Sequence, residues 1–216
     1  MEGFGINRPL PRIPIRPYIL GIGVLATLTM YILAWAYPTF PGDEDALMRI
    51  QALRSGSLDD MAIWFANLGL LWVFMPAAVA LMGCLAIARR YADVVMIIGG
   101  LAVIGIGQVL KTLVNRPRAE YCRVDTVPSG LSFPSGHSLL AVMMGGVLIY
   151  LVGLWVRPLL LRRAIQAGLI LLVIVMGVSR VYLGVHWPSD VIGAYVFGVM
   201  ALVGLIGLRN AVATAR

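Results

Sequence analysis

The chain has 216 residues, of which 60% are hydrophobic and 12% are charged, and its mean hydropathy is +0.91. Soluble domains are roughly 25% charged, so this composition excludes an ordinary soluble protein and indicates a membrane protein. The net charge of +7 is spread over short segments between apolar stretches, which favours a topology signal and predicts no nucleic-acid partner. No linker or repeat divides the chain, so we expect one domain, residues 1–216.

Six apolar stretches have, or approach, the length of about 20 residues that a helix needs to cross a bilayer. They cover residues 18–37, 61–88, 94–114, 136–156, 164–183 and 190–208. Backbone polar groups find no water inside lipid, so each stretch is expected to be helical. The sequence therefore predicts an all-α integral membrane protein with six transmembrane helices. Pro76 is expected to kink the second of them.

The positions of the arginines predict how these helices are oriented. Ten arginines fall on one face of a six-span bundle, whereas most acidic residues fall in the opposite loops. The ten are Arg8, Arg12, Arg16, Arg89, Arg90, Arg157, Arg162, Arg163, Arg209 and Arg216. Since positively charged loops stay in the cytoplasm, both termini are predicted to be cytoplasmic and the opposite loops to face the periplasm or exterior.

The loop after the first span has a pattern of its own. Residues 43–54 place Leu47, Ile50 and Leu53 at helical spacing among charged residues, which predicts a short amphipathic helix on the outer surface. An ordinary polar loop explains the pattern equally well, and the sequence assigns no role to residues 38–60. Cys84 lies in an apolar stretch, so no disulfide is expected with Cys122, which lies in an outer loop.

Rare polar residues collect at the outer ends of the later spans. They include the only lysine, Lys111, and the only two histidines, His137 and His186. Ionisable residues are costly in a membrane, so three singular residues at one depth predict a functional site. Arg118 follows Lys111 by seven residues, and the two cations can converge on a phosphate. Alone, they would also fit cations that extend to lipid headgroups.

Residues 133–138 immediately precede the fourth span. Pro134 and Ser135 are residues that start helices, and Gly136 lets a ligand approach the backbone. The free N–H groups of this helix N-terminus can hold an anion beside His137. Taken alone, the segment also fits a capped helix without a ligand.

A third polar segment, residues 179–190, joins the last two spans. Arg180 offers a planar fork suited to two contacts with a phosphate. Asp190 follows His186 by four residues and can accept its second ring N–H, which leaves a neutral, oriented imidazole as a nucleophile. Without the other segments, this His–Asp pair would indicate a structural hydrogen bond.

Together the three segments resemble the motifs of the type-2 phosphatidic acid phosphatase superfamily of membrane lipid phosphatases. Those motifs are Lys-x6-Arg-Pro, Pro-Ser-Gly-His and Ser-Arg-x5-His-x3-Asp. They are read here from Lys111 to Arg118, from Pro134 to His137 and from Ser179 to Asp190, within a core of residues 93–208. The second and third match fully, whereas Ala119 replaces the proline of the first. The six-span layout is also similar to that of bacterial members.

The resemblance implies a two-step phosphatase reaction without a cofactor. His186 would attack phosphorus and form a phosphohistidine, Asp190 would fix its tautomer, and His137 would protonate the leaving group. The implied phosphate-binding residues are Lys111, Arg118, Ser135, Gly136 and Arg180. The outer loops hold no cluster of carboxylates or histidines suited to Mg²⁺ or Zn²⁺, so no metal is expected.

The substrate is left open by the sequence. The resemblance allows undecaprenyl pyrophosphate, phosphatidylglycerophosphate, phosphatidic acid or another phosphorylated lipid, and no residue separates them. A non-catalytic lipid-phosphate binding or transport protein would retain the same cations but would need no positioned nucleophile. Vanadate-dependent haloperoxidases share similar motifs, but they are soluble and the six apolar spans argue against them. The oligomeric state is not predicted.

Overall fold

The computed structural model describes residues 17–119, 121 and 130–214, and these ranges contain eight α-helices. They are α1 (Pro17–Ala36), α2 (Asp43–Gln51), α3 (Gly56–Leu68), α4 (Leu71–Ile87), α5 (Tyr91–Val114), α6 (Gly136–Trp155), α7 (Leu159–Tyr182) and α8 (Pro188–Thr214). Helices α1 and α5 to α8 are long and apolar enough to cross a membrane, and α3 with α4 forms a sixth span if the bent pair is counted as one. The prediction of an all-helical chain with apolar spans is confirmed.

The second predicted span, residues 61–88, is divided into α3 and α4. The two helices meet at an angle of 48°. The bend lies at Gly69 and Leu70, whereas Pro76, the predicted kink position, lies inside α4. Gly69 is the residue that follows α3, and its backbone N–H bonds to the carbonyls of the last turn of α3.

Helix α6 packs against three others, α5, α7 and α8. Glycines allow the close approach of α6 and α8. A Cβ atom at Gly146 would lie 2.3 Å from Leu202 Cδ2, and one at Gly198 would lie 2.2 Å from Val142 Cγ1. Small residues at such crossings are the usual basis of helix packing in membranes, as the sequence predicts.

The arginine-rich ends of the helices meet at the end of the bundle opposite the two histidines. Asp93 of α5 is buried and pairs with Arg209 of α8, with Nη2 and Oδ1 2.7 Å apart. Arg90 approaches Asp93 at 3.8 Å and lies over the Trp155 ring. These contacts tie the start of α5 to the ends of α6 and α8.

The predicted helix after the first span exists as α2, but its buried face differs from the prediction. Asp43, Leu47 and Gln51 are buried, and their spacing of four residues puts them on one side of the helix. Leu53, predicted to belong to the apolar face, follows the helix and is 68% exposed. The reason is that α2 packs against α7 and α8, so protein contacts select its buried face.

Candidate active site

The C-terminal ends of α5 and α7 and the N-terminal ends of α6 and α8 meet at one end of the bundle. Electrostatic interactions link His137 with Arg180, with His186 and with Lys111. They also link His186 with Lys111 and Arg118. The three sequence segments that are separated along the chain therefore converge, as the sequence predicts.

Asp190 lies in the first turn of α8 and is fully buried beside His186. Its Oδ2 atom lies 3.3 Å from His186 Nδ1, and it accepts hydrogen bonds from the Trp187 N–H at 2.9 Å and from the Ser132 hydroxyl. A carboxylate at Nδ1 favours the neutral tautomer that carries its proton there. Nε2 of His186 is then left with a lone pair.

The other ring nitrogen of His186 faces a cation. Arg118 Nη1 lies 3.4 Å from His186 Nε2, and the same guanidinium donates hydrogen bonds to the carbonyls of Val185 at 2.9 Å and Gly130 at 3.0 Å. Ala119, which departs from the family motif, is buried in an apolar cluster. Arg118 therefore reaches the nucleophile candidate although the following proline is missing.

The surroundings of His186 keep its ring neutral. Burial lowers the pKa of His186 to about 4, the charges of Lys111 and Arg118 act in the same direction, and the hydrogen bond and charge of Asp190 oppose them. An unperturbed imidazole has a pKa of about 6.5. At neutral pH the ring is therefore uncharged, and Nε2 needs no deprotonation before it can attack an electrophile.

His137 is the second residue of α6, and its ring lies at the break between α3 and α4. The backbone of Ala66 forms a hydrogen bond with the ring. A Cβ atom at Gly69 would lie 2.3 Å from His137 Cδ2, so the ring packs directly on this glycine. Nε2 of His137 is buried and has no hydrogen-bond partner within residues 17–119, 121 and 130–214. The role of His137 as a proton donor stays a prediction.

Most of the predicted phosphate-binding residues lie around these two rings. Lys111 is in the last turn of α5, and Arg180 is buried in the last turn of α7. Gly136 begins α6, where backbone N–H groups have no partner within the helix. Ser135 is fully buried, and its hydroxyl accepts the Ser138 N–H at 3.4 Å as the cap of α6. The predicted phosphate contacts of all these residues stay predictions.

Sequence reasoning missed the residue that binds the second oxygen of Asp190. Arg116 is fully buried, and its Nη1 atom lies 2.7 Å from Asp190 Oδ1. The same side chain pairs with Asp43 at 2.9 Å. The Arg-Pro-Arg sequence at 116–118 contains the signal, but only the fold decides which arginine faces the carboxylate and which faces the imidazole.

Metal-binding side chains do not cluster in the part of the chain that the structure describes, where no group of three His, Cys, Asp or Glu residues could hold an ion. Cys84 is an exposed free thiol. Cys122 lies outside the described residues, so the prediction about a disulfide stays a prediction.

Comparison with known proteins assigns the chain to a family. The PAP2 superfamily matches residues 90–212. The chain belongs to the PAP2 superfamily. This family match includes all three motifs and both histidines.

Individual relatives agree with this assignment. Phosphatidylglycerophosphatase B of Bacillus subtilis is 35% identical over 99 residues, which cover 44% of this chain and 47% of that protein, or about half of its length. Decaprenylphosphoryl-5-phosphoribose phosphatase of Mycobacterium tuberculosis is 35% identical over 136 residues, which cover 59% of this chain and 69% of that protein.

A solved structure gives the same answer for the fold. The crystal structure of a transmembrane PAP2 type phosphatidylglycerolphosphate phosphatase from Bacillus subtilis superposes with a TM-score of 0.74 at 25% identity. The match covers 86% of this chain and 94% of that one. The chain thus has the fold of that membrane PAP2 phosphatase, and both relatives above are named phosphatases.

Proposed function

We propose that the chain is a metal-independent lipid phosphatase that works through a phosphohistidine on His186. The observation that carries the proposal is the pair of imidazoles. His186 is neutral, has Nδ1 on Asp190 and directs Nε2 toward Arg118, while His137 keeps an unpaired Nε2 nearby. A lipid-phosphate binding or transport protein needs cations but has no use for a positioned nucleophile.

In the first step, His186 Nε2 attacks phosphorus. A bond forms between nitrogen and phosphorus while the bond from phosphorus to the leaving oxygen breaks. His137 gives its proton to that oxygen, and the negative charge of the bound phosphoryl group stabilises the imidazolium before transfer. Asp190 holds the Nδ1 proton of His186 and stabilises the positive charge that develops on its ring.

In the second step, water attacks the phosphohistidine. His137 is now neutral and accepts a proton from the water. The bond between nitrogen and phosphorus breaks, its electron pair returns to His186 Nε2, and inorganic phosphate leaves. The two histidines are then in their starting protonation states.

The negative oxygens of the phosphoryl group require several donors in both steps. We assign this work to Lys111, Arg118, Ser135, Gly136 and Arg180. Three of the five are cations, so the charge of the phosphoryl group is offset by the chain itself. Full activity in the presence of EDTA is the expected result, and loss of activity that Mg²⁺ restores would contradict it.

We further propose that the site faces the periplasm or exterior of the cell membrane and that both termini are cytoplasmic. The arginine-rich ends of α5, α6 and α8 lie at the end opposite His186, which supports this orientation. Thiol labelling of intact cells would test it. In a background without the natural cysteines, Thr39→Cys should react with an impermeant reagent and Arg89→Cys should not.

The proposed substrate is a lipid whose phosphorylated headgroup faces outward. Phosphatidylglycerophosphate, undecaprenyl pyrophosphate and phosphatidic acid are the candidates, and the chain 1–216 acts as one domain. The test is phosphate release by purified protein from a panel of these lipids with EDTA present, with His186→Ala as control. Release from no lipid, together with retained lipid binding, would favour the binding or transport alternative.

A further inference from the structure

Helix α2 lies outside the three motifs, yet it packs beside the loop that carries His186. It contacts α7 and α8, the two helices that this loop joins. Its buried face is formed by Asp43, Leu47 and Gln51. The contacts of these three side chains reach the residues on both sides of the loop, Tyr182 and Ser189, and Trp187 near its end.

The C-terminal end of α2 holds the start of the loop. Gln51 Nε2 donates hydrogen bonds to the carbonyls of Tyr182 at 3.3 Å and Tyr121 at 3.1 Å. Gly184 has a φ of +68°, and a Cβ atom there would lie 2.6 Å from Gln51 Nε2 and 2.3 Å from the Tyr121 carbonyl oxygen. The loop passes so close to α2 that a side chain at 184 has no room.

The N-terminal end of α2 holds the end of the loop. Asp43 is buried, its Oδ1 accepts the backbone N–H of Ser189 at 2.9 Å, and its Oδ2 accepts the Ser189 hydroxyl at 2.6 Å. Between these two ends, Leu47 is fully buried in an apolar cluster with Trp187 and its neighbours. Asp43 therefore holds the residue that precedes Asp190.

Arg116 joins this end of α2 to the candidate active site. Its Nη2 atom lies 2.9 Å from Asp43 Oδ2, and its Nη1 atom lies 2.7 Å from Asp190 Oδ1. Nε donates to the Pro38 carbonyl at 3.0 Å, and the Phe40 ring lies against the guanidinium. A planar guanidinium can bind two carboxylates at once in fixed directions, which the single ammonium of a lysine does poorly.

The division of contacts on Asp190 gives this arrangement a chemical consequence. Arg116 occupies Oδ1, so Oδ2 is the oxygen that faces His186 Nδ1. Without the Arg116 contact, the carboxylate would be held through Oδ2 alone, by the Trp187 N–H, the Ser132 hydroxyl and His186 itself. The orientation of the imidazole, and hence the direction of the Nε2 lone pair, would then be less well defined.

We propose that Asp43 and Arg116 are positioning residues for the phosphatase reaction, and that α2 with residues 38–42 forms a clamp on the nucleophile loop. The chain of contacts runs from Asp43 through Arg116 and Asp190 to His186. This inference rests on the proposed function and gives residues 38–51 a role in it.

The test is Asp43→Asn, which keeps the shape of the side chain and removes its charge. The control is Asp45→Asn, because Asp45 lies in the same first turn but is exposed. Active sites are counted by the amplitude of phosphoenzyme formation, and kcat per counted site, KM and the rate of phosphoenzyme formation are measured. A purely structural role would lower the number of sites but leave these rates unchanged.

We expect Asp43→Asn to lower kcat and the rate of phosphoenzyme formation by about 10- to 100-fold, with little change in KM. Mutation of the residue that orients a metal-binding histidine costs a similar factor in activity in metalloproteins. Ser189→Ala removes one hydrogen bond to Asp43 and one from Arg116 but no charge, so a smaller loss in the same direction is expected. Asp45→Asn should match the wild type.

The outcomes separate the two proposals. An active wild type with unchanged rates in Asp43→Asn would overturn the clamp and leave the phosphatase assignment intact. If Asp43→Asn does not fold, unchanged rates in Ser189→Ala decide against the clamp in the same way. A wild type that releases no phosphate from any lipid would overturn the proposed function and the clamp with it.

Discussion

The two imidazoles of the candidate site are held by different kinds of contact. His186 is fixed by charged side chains, with Asp190 on Nδ1 and Arg118 at Nε2. His137 is fixed by uncharged groups, namely the backbone of Ala66 and the surface of Gly69. Both rings stand at the same end of the helix bundle, and the difference described here lies in the groups that contact them.

This difference matches what each ring has to do in the proposed reaction. A nucleophile works best with one fixed tautomer and a lone pair in a fixed direction, and a carboxylate that is itself held by Arg116 provides both. A proton donor that later becomes a base must change its charge in every cycle. The direct contacts of the His137 ring are uncharged, and its charged neighbours Arg180 and Lys111 are cations, so the negative phosphoryl group of the substrate supplies the charge that stabilises the imidazolium.

Removal of His186, the imidazole that contacts charged side chains, has the largest expected effect. His186→Ala leaves no atom that can form the bond to phosphorus, so turnover and phosphoenzyme should both fall to background. Phosphate release and acid-labile phosphoenzyme are the measurements, and lipid binding is the control for a folded site. Wild-type turnover in this variant would remove the mechanism.

Asp190→Asn should come next. The amide can present the wrong group to Nδ1 and reverse the tautomer, which costs about 10⁴ in kcat in the Ser-His-Asp enzymes where this change has been analysed. Arg116 keeps its contact with Asp43, so the fold should persist. A tenfold change in kcat corresponds to about 1.4 kcal/mol in the activation free energy. A loss of kcat smaller than tenfold would therefore show that the carboxylate does little for His186.

The contact that positions the His137 ring can be disturbed at Gly69. Its φ of −83° is open to any residue, so Gly69→Ala introduces no backbone strain, but the new methyl group would meet the His137 ring. A displacement of about 1 Å can cost on the order of 100-fold in rate, and we expect a loss of kcat approaching that value.

The matched control for this change is Gly83→Ala in α4, where a Cβ atom meets nothing within 4 Å. It should leave kcat unchanged. Equal kcat in the two glycine variants and the wild type would argue that contact with the α3–α4 break does not position His137.

The sequence predicts much of this site because the relevant residues lie in three short motifs at helix ends. Apolar runs place those ends, so Lys111, His137 and His186 can be brought to one membrane depth from the sequence alone. The polar spacing also predicts the contact of His186 with Asp190, since residues four apart face each other across a single turn.

The supporting contacts could not be predicted because they join distant segments. The pairing of Asp43 with Arg116 depends on how α2 packs, and hydropathy carries no information about it. The break at Gly69 is hidden for a similar reason, since apolar residues continue from 61 to 88 across it. Only the structure shows that the His137 ring packs against Gly69 at this break.

The smallest expected effect is a shift in pH dependence that tests the charged surroundings of His186. Because burial lowers the pKa of His186 to about 4, the ring stays neutral until the pH falls through that value, and kcat/KM should fall there and not near 6.5. Lys111 contributes to the lowering, so Lys111→Met should move this acid limb to higher pH, in addition to weakening phosphate binding. The measurement is kcat/KM against pH for both proteins. An acid limb centred near the ordinary imidazole value in the wild type would mean that His186 is not held neutral by its surroundings.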